Sequence, residues 1–188
     1  MRCGACRNSW PLPCAPRGRG RFRPHGHPWY AALVQPNPPA HLPPIALASD
    51  HAGVALKAVL AEFLRSRGHA VLDLGTDGPA SVDYPDFADA LAAALADGRA
   101  SQGVLVCGTG IGIAIAANRH RHIRCAVAHD ATSARLTRLH NDANVLALGA
   151  RLIGEATALD ALAAFLDTEF EGGRHARRVN KLSGERVP

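Results

Sequence analysis

The chain has 188 residues, 47% of them apolar, and a formal net charge of +5. That length suits one ordinary domain, and no run approaches the roughly 20 consecutive apolar residues of a membrane-spanning helix. Residues 1–44 hold six of the 21 Lys+Arg and no acid, which leaves fifteen basic against sixteen acidic residues in 45–188. The positive excess therefore belongs to the leader. The remainder carries no basic stripe with interleaved aromatics, which argues against nucleic acid as a partner.

Residues 1–44 also contain ten of the 13 Pro and three of the five Cys. They lack the apolar stretch of a signal peptide, and they are too proline-rich for a helical transit peptide. Cys3, Cys6 and Cys14 have no second Cys/His pair at a zinc spacing. This composition cannot bury a core, so residues 1–44 are expected to be a disordered basic extension, or sequence upstream of the physiological start.

Residues 45–188 alternate regularly. Ile45–Ser49 is an apolar strand-like run, followed by a helical pattern over 54–67. There Val54, Leu56, Val59, Leu60, Phe63 and Leu64 mark one face, and Gly68 stands at the C-cap. Ala70–Leu74 is the next strand and 86–97 the next helix. Val104–Val106 leads into a glycine-rich turn and a helix over 111–118. Cys125–Ala128, a helix over 130–140, Val145–Leu148 and a helix over 155–167 complete the series. Cys107 and Cys125 lie in apolar runs, the pattern of reduced thiols in a cytoplasmic protein. Repeated β-α units imply a doubly wound, five-stranded parallel sheet of order 2-1-3-4-5, Rossmann-like or flavodoxin-like, with a further helix at the C-terminus.

The segment 103–118 carries the most chemistry. A strand that enters a helix through Gly108, Gly110 and Gly112 leaves backbone N–H groups unpaired, and these attract negative charge. A thiol at that place, Cys107, has its thiolate favoured. The glycines match neither the dinucleotide fingerprint nor a P-loop. A tight turn beside an inert buried cysteine is the competing reading.

The topology places a site. In such a sheet, ligands bind beyond the carboxyl ends of the strands, where the winding reverses, between the first and third strands. Asp50-His51 ends the first strand and Cys107-Gly-Thr-Gly ends the third. An acid, an imidazole, a thiol and an anion cradle are thus expected to converge. Asp50 is equally a good N-cap residue.

Several ordered motifs then coincide: Ser49-Asp-His-Ala-Gly53, Asp83-Tyr-Pro85, Cys107 to Asn118, His140-Asn-Asp-Ala-Asn144, Gly149-Ala-Arg151 and Glu171-Gly-Gly-Arg-His-Ala-Arg-Arg178. With these, residues 45–182 resemble the ribose-5-phosphate isomerase B type of sugar-phosphate isomerase, a family that includes galactose-6-phosphate isomerase subunits. Residues 1–44 match nothing in it.

The resemblance implies aldose–ketose isomerisation through an enediolate, with no metal and no organic cofactor. Cys107 would be the base; relatives that use a later glutamate have no counterpart here, where Ile113 and Ala114 stand. The N–H groups from Gly108 through Gly110 and Ile111 to Gly112 would hold the oxyanion. Thr109 would relay hydroxyl protons. His140 would protonate the ring oxygen, a task suited to an imidazole. Asp50 and Asn141 would contact sugar hydroxyls, and Tyr84 would line the pocket. His51, Arg174, Arg178 and Arg151 would bind phosphate, arginine offering a fork of donors. Alone, His140 reads as a helix C-terminal histidine, and Arg174 with Arg178 as a solvated helix face. His175 receives no role.

The implied substrate is ribose 5-phosphate, interconverted with ribulose 5-phosphate in the pentose phosphate pathway. A six-carbon substrate such as allose or galactose 6-phosphate is the alternative, and a non-catalytic sugar-phosphate binder is a more distant one. His140 falls in a helix-to-strand connection, at the amino edge of the sheet. His140, Asn141 and Arg151 are therefore expected to reach the site of a second copy, in a homodimer or homotetramer.

Overall fold

The computed structural model describes residues 44–182 and Gly184; the expected leader lies outside these residues. Five parallel strands form one sheet: β1 (Ile45–Ser49), β2 (Val71–Asp73), β3 (Gln102–Cys107), β4 (Cys125–Val127) and β5 (Val145–Gly149). Six helices accompany them: α1 (Val54–Ser66), α2 (Tyr84–Ala96), α3 (Ile111–Ala117), α4 (Ala131–Asn141), α5 (Glu155–Leu166) and α6 (Arg174–Leu182). No helix among the described residues is long and apolar enough to cross a membrane.

The doubly wound α/β architecture agrees with the sequence, and one detail differs. The strand order is β2-β1-β3-β5-β4, so the last two strands are exchanged relative to 2-1-3-4-5. Burial explains it. All five residues of β5 are buried, which suits an interior strand, whereas β4 has three residues, each only half-buried, and takes the edge. The reversal between β1 and β3 is unaffected.

The exchange decides which face each helix covers. A right-handed crossover back from β4 to β5 carries α4 to the same side as α1 and α5. There Leu56, Leu60, Leu64, Ala134, Leu162 and Phe165 pack with Leu47, Val104 and Leu146. On the other face α2 and α3 supply Ala88, Leu91, Ile113 and Ala117 against Ala46, Leu105 and Ala147. Each fully buried leucine contributes about 2 kcal/mol through the area it removes from water.

One buried residue of α1 is charged, Lys57. Its ammonium lies 2.8 Å from Asp73 and 3.0 Å from Asp77. Burial pulls its pKa down, but the two carboxylates outweigh this and hold the group above its ordinary value. The pair ties the end of β2 and the loop after it to α1, beside the carboxyl end of β1. α4 begins with a capping box between Asp130 and Ser133.

Candidate active site

Parallel strands end together, so the loops after β1, β3 and β5 share the carboxyl edge. Asp50 follows β1 and is 6% exposed. Its Oδ1 accepts from the N–H groups of Ala52 (2.9 Å) and Gly53 (3.2 Å). Asp50 is thus a cap, and the cap holds the carboxylate in one orientation at the reversal point. Beside it, His51 Nδ1 accepts from the Val82 N–H at 3.3 Å. That contact places the ring proton on Nε2, which becomes a donor.

Cys107 ends β3 and is 4% exposed. Its Sγ accepts from the Gly110 N–H at 3.1 Å. Gly110 has φ +77°, and a Cβ there would lie 2.9 Å from the Leu148 carbonyl carbon. Gly149 makes the reciprocal approach, since its Cβ would lie 2.6 Å from the Thr109 oxygen. The turn after β3 therefore rests directly on the end of β5, backbone against backbone. Ala150 N–H donates to the Cys107 carbonyl and Arg151 N–H to that of Gly108, both at 2.9 Å. The amides of Gly108 and Thr109 have no protein acceptor among the described residues.

Two further expected residues join this edge. The Tyr84 ring lies against Gly112, where a Cβ would be 2.8 Å from the ring. The Arg151 side chain lies 3.5 Å from a Cβ placed on Gly108. Arg151 thus stands beside the Cys107 turn of its own chain, whereas it was expected to reach the site of a second copy. The reason is its position just after β5, where the carboxyl edge begins.

His140 and Asn141 form the last turn of α4, which runs antiparallel to the strands and so ends at the amino edge. α6 packs there: the Glu171 N–H donates to the Leu139 carbonyl at 3.1 Å. The His140 ring stacks on His175, 4.4 Å between centroids and 7° between planes. Arg174 and Arg178 are exposed one turn apart on α6 and have no carboxylate partner among the described residues. A five-residue strand spans about 16 Å, so His140 does not touch its own Cys107. The site residues form two clusters at opposite edges of one sheet.

The other described cysteine differs in setting. Burial pushes the Cys125 thiol up to about 12, so it stays protonated. It borders a cavity of about 440 Å³ with Asn118, Arg121, Arg124 and Asn141, remote from Cys107. Sequence reasoning missed three features of the two clusters: the Val82 amide that orients His51, the buried Lys57 beneath the loop, and the contact of Glu171 and His175 with His140. Only the last had a sequence signal, the four-residue spacing of Glu171 and His175 on one side of a helix start.

Comparisons with known proteins agree with this fold. The family described as ribose/galactose isomerase matches residues 45–182. Ribose-5-phosphate isomerase B of Escherichia coli is 44% identical over 139 residues, 74% of this chain and 93% of its own. D-erythrulose-4-phosphate isomerase of Pectobacterium atrosepticum is also 44% identical, over 73% of this chain and 91% of its own. The solved ribose-5-phosphate isomerase B of Clostridium thermocellum is 50% identical with a TM-score of 0.73, covering 74% of this chain and 95% of that one. Fold, identity and matched span agree: the chain belongs to the ribose/galactose isomerase family.

Proposed function

We propose that this protein interconverts D-ribose 5-phosphate and D-ribulose 5-phosphate through an enediolate, in a site completed by a second copy of the chain. The observation that carries this reading is the Cys107 sulfur, held by the Gly110 N–H on the same edge as the capped Asp50. A binding protein needs no base at that place.

The steps follow from the residues. His140 of one subunit delivers a proton to the furanose ring oxygen as the C1–O bond breaks, and the C1 hydroxyl proton leaves through Asp50. Cys107 of the other subunit, as thiolate, takes the proton from C2 and returns it to C1. Meanwhile Thr109 passes the O2 proton to O1, and the turn N–H groups hold the charge on oxygen. No electrons are lost overall, because one carbon is oxidised as its neighbour is reduced. Phosphate lies among the Nε2–H of His51, Arg151, and the partner copy's unpaired pair at 174 and 178.

A second reading keeps the chemistry and changes the sugar. A relative of equal identity is named for a four-carbon ketose phosphate, and six-carbon sugar phosphates are open on the same motifs. The deciding assay compares ribose 5-phosphate, D-erythrulose 4-phosphate, and allose and galactose 6-phosphates without added metal. Ribose 5-phosphate is expected to give the highest kcat/KM. Higher values with another sugar would reassign the substrate, and no turnover on any of them would remove the isomerase reading.

A further inference from the structure

Glu171, His175 and His140 form a cluster that the mechanism above uses only in part. We propose that His175 is a positioning residue: its buried ring is the platform that fixes the His140 imidazole for proton delivery to the sugar ring oxygen. This deepens the isomerase reading and rests on it.

His175 is 5% exposed, sealed where α6 packs on α4. His140 is more open, its side chain 39% exposed. A histidine that open samples several rotamers unless something holds it, and a proton donor is effective only in one geometry. The nearly parallel stack at 4.4 Å supplies that hold on one whole face of the ring. Glu171 acts at the edge: its Oε2 lies 3.9 Å from Nε2 of both histidines. Its own N–H is tied to Leu139, the residue before His140.

The charge pattern keeps the platform neutral. Arg174 Nε–H donates to His175 Nε2 at 3.4 Å, which places the His175 proton on Nδ1. Burial, followed by the neighbouring His140, holds His175 below the usual imidazole range. Arg174 and Arg178 act in the same direction and Glu171 opposes them. A neutral ring face accepts a neutral or a cationic partner, so the stack survives while His140 gains and loses its proton. The three groups also resemble a metal trio, with ligand atoms within 4.8 Å of one another. Arg174 argues against that use, because its N–H occupies the His175 nitrogen a metal would need and its charge repels a cation.

The test separates ring opening from proton transfer. Ribulose 5-phosphate has no furanose form, so enzyme-catalysed exchange of its C1 proton in D₂O, read by NMR, bypasses His140. Turnover of ribose 5-phosphate does not. Wild-type protein is expected to do both and Cys107→Ala neither. At saturating substrate, His175→Ala is expected to lose about tenfold or more in ribose 5-phosphate turnover while C1 exchange stays within about twofold. His175→Phe, which keeps a flat face, is expected to recover most of the loss. If His175→Ala does not fold, His175→Leu takes its place, filling the space without a flat face. Equal loss in both assays, no loss in either, or His175→Phe as poor as the non-aromatic variant would overturn the proposal. Wild-type protein silent in both assays would instead overturn the isomerase reading beneath it.

Discussion

Cys107→Ala is expected to lower turnover of ribose 5-phosphate about 10²–10⁴-fold, with little change in KM or thermal midpoint. The sulfur is the only described thiol that accepts a backbone N–H at the carboxyl edge. The contacts that shape the turn around it do not use the side chain. They run from Ala150 to the Cys107 carbonyl, from Arg151 to the Gly108 carbonyl, and between Gly149 and Thr109. Alanine therefore removes the proposed base and leaves the cradle, so substrate is expected still to bind with the proposed oxyanion donors in place. Cys125 offers no substitute, since it opens the edge strand β4 at the amino edge, away from the Cys107 turn. Steady-state kcat and KM decide the matter. A variant that keeps more than about a tenth of wild-type kcat would show that another group takes the C2 proton.

Gly110→Ala is expected to destabilise the protein by about 2–4 kcal/mol and to lower kcat as well. Two costs combine. The backbone at 110 has φ +77°, which a side chain rarely adopts, and the new Cβ would meet the Leu148 and Gly149 backbone at 2.9 and 3.2 Å. Backbone of an interior strand cannot swing aside as a side-chain tip can, so the turn must lift off β5. Lifting it moves the Gly110 N–H away from the Cys107 sulfur, and stability and catalysis fall together. Urea unfolding and kcat check both. A variant of wild-type stability would show that the turn is not seated on β5 as described.

Much of the fold is legible in the sequence. Regular alternation of short apolar runs with helical stripes identified every strand and the first five helices to within a few residues, because parallel β-α units leave little freedom in length. The convergence of Asp50, His51 and Cys107 at one edge followed from the winding reversal between β1 and β3, which needs only the order of the first three strands. The order of β4 and β5 was not legible, since it depends on which strand can be buried on all sides. Three half-buried residues of β4 against five buried residues of β5 decide that, and only packing reveals it. Arg151 was grouped with His140 and Asn141 although it follows the strand read at Val145–Leu148, and that position puts it at the carboxyl edge. Lys57 and His175 were not legible as buried groups, because burial of a charged or polar side chain requires partners supplied from distant segments. Asp73 and Asp77 do so for the lysine, and His140 for the histidine.

The proposed site is divided between two copies: Cys107 at the carboxyl edge of one sheet and His140 at the amino edge of another. The most direct measurement mixes Cys107→Ala and His140→Ala subunits, each nearly inactive alone, after reversible dissociation, and follows ribose 5-phosphate turnover. Random pairing makes half of the dimers hybrids, each with one intact site, so the mixture is expected to regain about a quarter of wild-type activity. Hybrids shown by native mass spectrometry to have formed, yet as inactive as their parents, would contradict the shared site.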